Sequence, residues 1–302
     1  MRRLGIALPG LLLLALACTR TDLHGREVEV RELPYTWAGH QLSLTVGVPR
    51  SDASLQFPVV LFVGSDGPVC ERYRAKVWRK FVTVLAGDFV LARPRALVNE
   101  LCEMEDLASL DYLHGVEELA SQAQALRRAF PGRRLYLVAQ GTGAYLAVRW
   151  ATLPGSDVAG VVNLGGGFRS MAEVIPALDR LRLERGWLTR AKVEERLQAF
   201  RQLQVDVGLQ AQSGGAFQGR SHRYWNQLLF ADVPSAWKAW RGPLLVVHGS
   251  DDFDGVPAAL VREDLESMKA AGREVRTVML EGEGSNLLVP DAFRAVDAWL
   301  RR

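Results

Sequence analysis

Acyl transfer in water needs a nucleophile, a base to take its proton, and an acid that fixes the base in the right tautomer. The stretch Leu135-Tyr-Leu-Val-Ala-Gln-Gly-Thr-Gly-Ala-Tyr-Leu-Ala147 reads as a buried strand, a tight turn and the start of a helix. In the pattern G-x-S-x-G, such a turn lifts a reactive hydroxyl above a sheet edge. Here the five positions are Ala139-Gln140-Gly141-Thr142-Gly143, so the turn is written and its apex has no side chain to attack with. Thr142 carries a hydroxyl, but a turn of this kind aims only its apex outward. Carboxylates gather at Asp251, Asp252 and Asp254, either as a catalytic acid with two neighbours or as a solvated turn. Of the five histidines, His248 ends an apolar strand and reads as a satisfied core residue, and His222 reads as a packed or exposed residue that could overhang a cleft. None of His24, His40, His114, His222 and His248 makes a zinc spacing with another, so no metal is expected. Gly141-Thr-Gly-Ala-Tyr-Leu146 fails as a dinucleotide fingerprint, because its third small position is Leu146 and it lies mid-chain, so no cofactor is expected.

The elements that must position these residues alternate. Glu27 to Leu33 and Gln41 to Val48 read as edge strands of a hairpin, and Pro58 to Val63 is a continuous apolar run suited to a strand covered on both faces. That run ends in a loop, Gly64-Ser65-Asp66-Gly67-Pro68. A helix is expected over Tyr73 to Ala86, a strand over Asp88 to Ala92, and a long amphipathic helix over Leu107 to Phe130, ended by Pro131-Gly132. After the strand of the tight turn and its helix comes a strand over Val158 to Leu164, which stops at Gly165-Gly166-Gly167. From Phe168 to about Trp240 the pattern changes to charged helices, Val174 to Arg185 and Thr189 to Val207, with a loop at Gln210 to Gly219. Alternation resumes with the strand Pro243 to Gly249, a helix near Ala258 to Ala271, a strand over Glu274 to Leu280 and a helix over Pro290 to Arg302. Strands alternating with helices, interrupted once by a helical insert, imply an α/β fold with a mostly parallel, doubly wound sheet and a helical cap at about 168–240.

From about Val28 to Arg302 the chain resembles the α/β-hydrolase superfamily, most closely its secreted or lipid-anchored serine esterases and peptidase-like hydrolases. The resemblance rests on the turn at Gly141, on Pro243-Leu-Leu-Val-Val-His-Gly-Ser-Asp-Asp252, and on Gly219-Arg-Ser-His-Arg-Tyr-Trp225 leading to Ala236-Trp237. It places the triad acid at Asp252, the nucleophile at Gly141 and the histidine at Ser285, within Glu281-Gly-Glu-Gly-Ser-Asn286. A serine hydroxyl is far too weakly basic to replace imidazole near neutrality. Two losses at separate matching positions argue against a slip in register. The oxyanion hole is less affected, because its donors would be backbone N–H groups of Thr142 and of the loop at Gly64 and Ser65. The resemblance therefore implies a non-catalytic relative whose cleft binds a small ester, peptide or lipid. The alternative is an active esterase or peptidase-like hydrolase with a non-standard arrangement, such as Asp252 and Asp254 activating water.

Length and composition fit one α/β domain, residues 27–302, with an insertion. A formal charge of +3, with Lys and Arg interleaved among Asp and Glu, gives no reason to expect nucleic acid as a partner. Residues 1–17 have a basic start and an apolar run shorter than the roughly 20 residues a membrane span needs, and read as a signal peptide. Ala15-Leu16-Ala17 before Cys18 resembles the lipobox of bacterial lipoproteins, which implies a lipidated Cys18, a membrane partner and a cell-envelope location. Ala15-x-Ala17 also suits ordinary signal peptidase at the same bond, which would leave a periplasmic or secreted protein. Thr19 in place of Asp after the cysteine resembles sorting to the outer membrane, with residues 19–26 as a linker. Cys70 and Cys102 would lie in loops at the same carboxyl edge of a parallel sheet, so they are either a disulfide or two free thiols.

Overall fold

The computed structural model of the protein describes residues 18–21, 27–50, 56–64, 81–85, 87–94, 111–209, 216–217, 220–252, 255–284, 287 and 289–302. In chain order its elements are strands β1 (Cys18–Thr21), β2 (Glu27–Trp37), β3 (His40–Pro49), β4 (Val59–Val63) and β5 (Val90–Pro94), helix α1 (His114–Ala129), strand β6 (Leu135–Gln140), helix α2 (Gly143–Ala151) and strand β7 (Val158–Leu164). Then follow helices α3 (Met171–Glu184) and α4 (Arg190–Leu209), the short strands β8 (Ala216–Phe217) and β9 (Arg220–Ser221), and helices α5 (His222–Leu229) and α6 (Val233–Ala239). Strand β10 (Leu244–Gly249), helix α7 (Ala258–Ala270), strand β11 (Val275–Leu280) and helix α8 (Pro290–Leu300) complete the chain.

Nine strands form one sheet in the order β1-β2-β3-β5-β4-β6-β7-β10-β11. The pairs β1·β2, β2·β3 and β3·β5 are antiparallel, and the rest are parallel. The expected mostly parallel α/β sheet is thus present. From β4 the chain crosses to β5 on one side and then to β6 on the other. That reversal opens a crevice at the carboxyl ends of β4 and β6, where ligands bind in open α/β sheets.

Successive strand residues point to opposite faces, and here both faces are covered. Val59, Leu61 and Val63 of β4 join Leu135, Leu137 and Ala139 of β6 in a core under α1, α2 and α6. Val60, Tyr136 and Val138 face the other way, against Phe81, Leu85 and the α8 residues Phe293, Val296 and Leu300. Removing each such large side chain from water stabilises the fold by about 1.5–3 kcal/mol, which explains why these strands are unbroken apolar runs.

Several boundaries differ from the sequence expectation for identifiable reasons. β2 continues past Leu33 to Trp37, because Pro34 lies where β1 no longer pairs with β2, so its missing N–H leaves no ladder bond unmade. Ala38 and Gly39, both with positive φ, then close a two-residue hairpin into β3. α1 begins at His114 rather than Leu107, with Asp111 to Leu113 forming a turn before it. α3 starts at Met171, where the Glu173 carboxylate accepts the backbone N–H of Ser170. Within the stretch expected to be a loop at Gln210 to Gly219, Ala216–Phe217 pairs with Arg220–Ser221 as a small hairpin. Residues 18–21, at the start of the expected linker, pair with β2 as an edge strand.

The insert between β7 and β10 divides in two. Trp237 of α6 is fully buried and its indole N–H donates to the Gly167 carbonyl at 3.2 Å, so α6 belongs to the layer beside α2. α3, α4 and α5 pack on one another through Phe200, Val207 and Leu229 and form a cap with its own small core. No helix among the described residues is long and apolar enough to cross a membrane.

Candidate functional site

The turn after β6 is shaped mainly by backbone. Gly141 takes φ +53°, its N–H donates to the Leu164 carbonyl at 2.9 Å, and its carbonyl accepts from Ala144 at 3.1 Å. A Cβ on Gly143 would lie 2.3 Å from the Gly64 carbonyl oxygen, and one on Gly166 would lie 2.6 Å from that of Gly141. The turn is therefore sandwiched between the chain leaving β4 and the chain leaving β7, and only glycine fits at those two crossings. Asn163 stiffens the second of them by exchanging hydrogen bonds with both the N–H and the carbonyl of Gly166. Thr142 caps α2, and its carbonyl accepts the Tyr112 hydroxyl at 2.8 Å.

Asp252 follows β10 and is 1% exposed. Its carboxylate accepts the backbone N–H groups of Gly255 at 2.7 Å and Val256 at 3.1 Å, so it is an ordered acceptor rather than part of a solvated turn. The loop that leads to position 285 runs beside it. Asp251 donates its N–H to the Glu283 carbonyl at 3.0 Å, and a Cβ on Gly249 would meet the carbonyl oxygens of Glu283 and Gly284. Ser285 itself, together with Ser65, Cys70, Cys102, Asp254 and His24, lies outside the described residues; Cys18 is described as the first residue of β1. Gly64 is described, at the end of β4.

His248 is fully buried, but it is only half satisfied. Its Nδ1 lies 2.8 Å from the Gly249 carbonyl oxygen, which can only accept, so Nδ1 carries the proton of the neutral ring. Nε2 is then an acceptor with no hydrogen-bond partner among the described residues, 3.7 Å from Asp252. Burial pushes the His248 pKa below its ordinary value, against the opposing pull of the Gly249 carbonyl and the Asp252 carboxylate. A triad histidine turns one nitrogen to the acid and the other to the nucleophile. In His248 that second nitrogen is committed to backbone. His222, at the start of α5, also keeps a buried Nδ1 without a hydrogen bond among the described residues, and it does not line the cavity.

Above the turn lies a cavity of about 650 Å³, within the range of small-molecule sites. Its floor is Gln140, Gly141 and Thr142 with Gly165 and Gly167, so all three turn residues line it and not the apex alone. Its roof is the cap helix α3, which presents Met171, Val174, Ile175 and Leu178. Six aromatic residues of the stretch from Phe168 to Trp240 do not line it. Trp187, Tyr224, Trp225, Phe230, Trp237 and Trp240 lie elsewhere, and the aromatic rings at the cavity are Tyr112 and Tyr145, stacked 6.0 Å apart beneath the cap. Burial raises the Tyr145 pKa, so its phenol stays neutral near pH 7.

The charged lining was not singled out in the sequence. Arg169 donates from Nε to both oxygens of Asp264 and pairs through Nη2 with Glu263, which holds its guanidinium above the ordinary arginine range. Asp179, 2% exposed, receives Arg196 through Nε at both oxygens and Arg182 through Nη1. The available signal was Asp179 beside Leu178, a carboxylate on the buried stripe of an otherwise amphipathic helix, with Arg182 one turn on.

No family model matches the chain, and no curated protein matches it by sequence. Among solved structures it is similar to a lipase in its open form, at 16% identity and TM-score 0.63 over 90% of this chain and 98% of that one. It is also similar to a highly thermostable carboxyl esterase from Bacillus coagulans, at 14% identity and TM-score 0.60 over 90% and 98% of the two chains. The acylaminoacyl peptidase of Pyrococcus horikoshii matches at 13% identity and TM-score 0.54, over 90% of this chain and 40% of the peptidase. The chain thus spans less than half the length of that peptidase. At such identities the likeness identifies the fold, which is that of the α/β-hydrolases.

Proposed function

We propose that this protein is a non-catalytic binding protein on an α/β-hydrolase scaffold, held at the bacterial cell envelope by a lipid on Cys18. The observation that carries the reading is the apex of the turn: Gly141 supplies the backbone of a nucleophile elbow and no nucleophile. In a serine protease, loss of the nucleophile or the base lowers turnover on the order of 10⁶-fold, and the position matched to the base is Ser285. His248 offers no substitute, because Nδ1 is bonded to the Gly249 carbonyl and the ring is fully buried. An aspartate-based hydrolase is disfavoured by Asp252, whose carboxylate accepts two backbone N–H groups and does not line the cavity. What remains is an open cavity floored by Gln140, Gly141 and Thr142 and roofed by the apolar stripe of α3, suited to holding a small ester, peptide or lipid.

Turnover of short-chain nitrophenyl esters and aminoacyl amides by the purified mature domain tests this reading, alongside the double variant Gly141→Ser with Ser285→His. The natural protein is expected at background and the double variant above it. Turnover by the natural protein that Asp252→Ala abolishes and Thr142→Ala does not would replace the binding reading with an aspartate mechanism. The anchor is tested separately: detergent-phase partitioning of the full chain should be lost in Cys18→Ala.

A further inference from the structure

One edge of the sheet is basic and the other acidic. β6, β7, β10 and β11 run parallel, with Leu135 opposite Val158, Val161 opposite Leu244 and Leu244 opposite Val275, so the residues leading into them share one edge. Arg134 enters β6, Arg241 precedes β10 and Arg273 precedes β11. α1 and α8 end at the same edge, where Arg127 donates to the Gly155 and Asp157 carbonyls ahead of β7 and Arg301 pairs with Asp88 ahead of β5. Their ends add Arg128 and Arg302.

Arg128, Arg134, Arg241 and Arg302 are exposed and make no ion pair among the described residues. Burial, and then the like charge of Arg241, push the Arg273 pKa below its ordinary value, and the Arg273 guanidinium donates to a carbonyl, that of Trp237. Glu27 and Asp88 are paired here with Arg50 and Arg301, which leaves Asp157 and Glu274 against the exposed guanidiniums. A basic residue in the last turn of a helix balances the helix dipole, which accounts for Arg128. It does not account for Arg134, Arg241 and Arg273, which lie beyond the helix ends. At the opposite edge the turns after β10 and β11 carry Asp251, Asp252, Glu281 and Glu283.

β1 brings Cys18 near the basic edge. Through Val30 and Gly47, Cys18 is level with Leu91 of β5, and through Val60 with Tyr136, the second residue of β6. Gly141 stands five residues further along the strands, about 17 Å at roughly 3.3 Å per residue.

We propose that the arginine edge is a docking surface for an anionic phospholipid bilayer, and that the cavity opens away from the membrane. The proposal rests on the reading of Cys18 as a membrane anchor and names the face that the anchor brings to the bilayer. Guanidiniums without carboxylate partners gain charge-assisted hydrogen bonds to lipid phosphates, and the acidic edge is repelled by the same surface. A ligand then reaches the glycine turn from the aqueous side.

Co-sedimentation of the mature chain carrying Cys18→Ala tests the surface without the lipid. Vesicles of mixed phosphatidylglycerol and phosphatidylcholine should bind it, pure phosphatidylcholine should not, and high salt should release it. Each basic residue near an anionic surface is worth roughly fivefold in binding, so Arg134→Gln with Arg241→Gln should weaken it on the order of twentyfold. The same loss of charge on the cap, Arg180→Gln with Lys192→Gln, should weaken it by no more than about twofold. In the lipidated full chain on mixed vesicles, amide exchange should slow in the turn at 131–134 and stay unchanged in α4. Equal binding to the two kinds of vesicle, equal effects of the two double variants, or slowing in α4 instead of the turn overturns the proposal. Failure of the full chain to partition into detergent, with anionic vesicles still binding the Cys18→Ala chain, sinks the anchor and leaves the surface standing. Partitioning without a preference for anionic vesicles does the reverse.

Discussion

The hydroxyl of Tyr112 donates to the carbonyl oxygen of Thr142 at 2.8 Å, tying the turn before α1 to the first residue after the elbow apex. The same ring stacks on Tyr145 and meets the edge of Tyr224 from the cap, so one side chain touches the elbow helix and the lid above it. Tyr112→Phe keeps both ring contacts and removes only the hydrogen bond. It should cost about 1 kcal/mol, read as a lower urea midpoint at unchanged slope. A loss several times larger would mean that the hydroxyl, and not the ring, organises this junction.

Gly141→Ala and Gly141→Ser are each expected to destabilise the fold by about 1–2 kcal/mol, because both force an L-residue into the left-handed region at φ +53°. Equal midpoints for the two variants assign the cost to backbone. A serine variant as stable as the natural protein would mean that the surroundings have kept a compensating contact for a hydroxyl.

Gly143 sits in the first turn of α2, where alanine ordinarily gains about 1 kcal/mol over glycine. Here the new methyl group would meet the Gly64 carbonyl oxygen at 2.3 Å, and backbone must move to admit it. Gly143→Ala is therefore expected to lose about 1–3 kcal/mol. The sign of the change in thermal midpoint decides between propensity and contact.

Burial holds the His248 pKa below its ordinary value of about 6.5. As pH falls through 6.5 the unfolded chain takes up a proton that the folded chain does not, so stability rises with pH across this window and is lost toward acid. Desolvation outweighs the Gly249 carbonyl and Asp252, which favour the charged ring, and Arg262 acts in the same direction as desolvation. Urea midpoints between pH 7.5 and 5 should fall for the natural protein and fall less for His248→Leu. Parallel pH profiles for the two would remove His248 from the acid sensitivity of the fold.

The layers of the fold were legible because strands covered on both faces must be continuous apolar runs, and Pro58 to Val63 and Pro243 to Gly249 are such runs. Pro34 hid the second half of β2, because whether a proline interrupts a ladder depends on where the neighbouring strand stops. Asp252 could be singled out from its distance to a strand end, and it is a buried, bonded carboxylate. The half-satisfied ring of His248 was not legible, since a histidine at a strand end looks the same whether or not its second nitrogen finds a partner. Nor were Asp179, Arg182 and Arg196. Arg182 lies one turn on from Asp179 within α3, but the contact of Asp179 with Arg196 depends on how α4 folds back on α3, and nothing local to either helix encodes that.

The elbow is gripped by main chain on both sides, at Gly143 against Gly64 and at Gly166 against Gly141. A turn clamped in this way keeps its shape whatever residue stands at its apex. Geometry and reactivity are thus stored in different atoms of the same five residues, the first in backbone and the second in one side chain. The second can be discarded in a single substitution while the first persists, so a scaffold of this kind can change trade from cutting to holding without refolding.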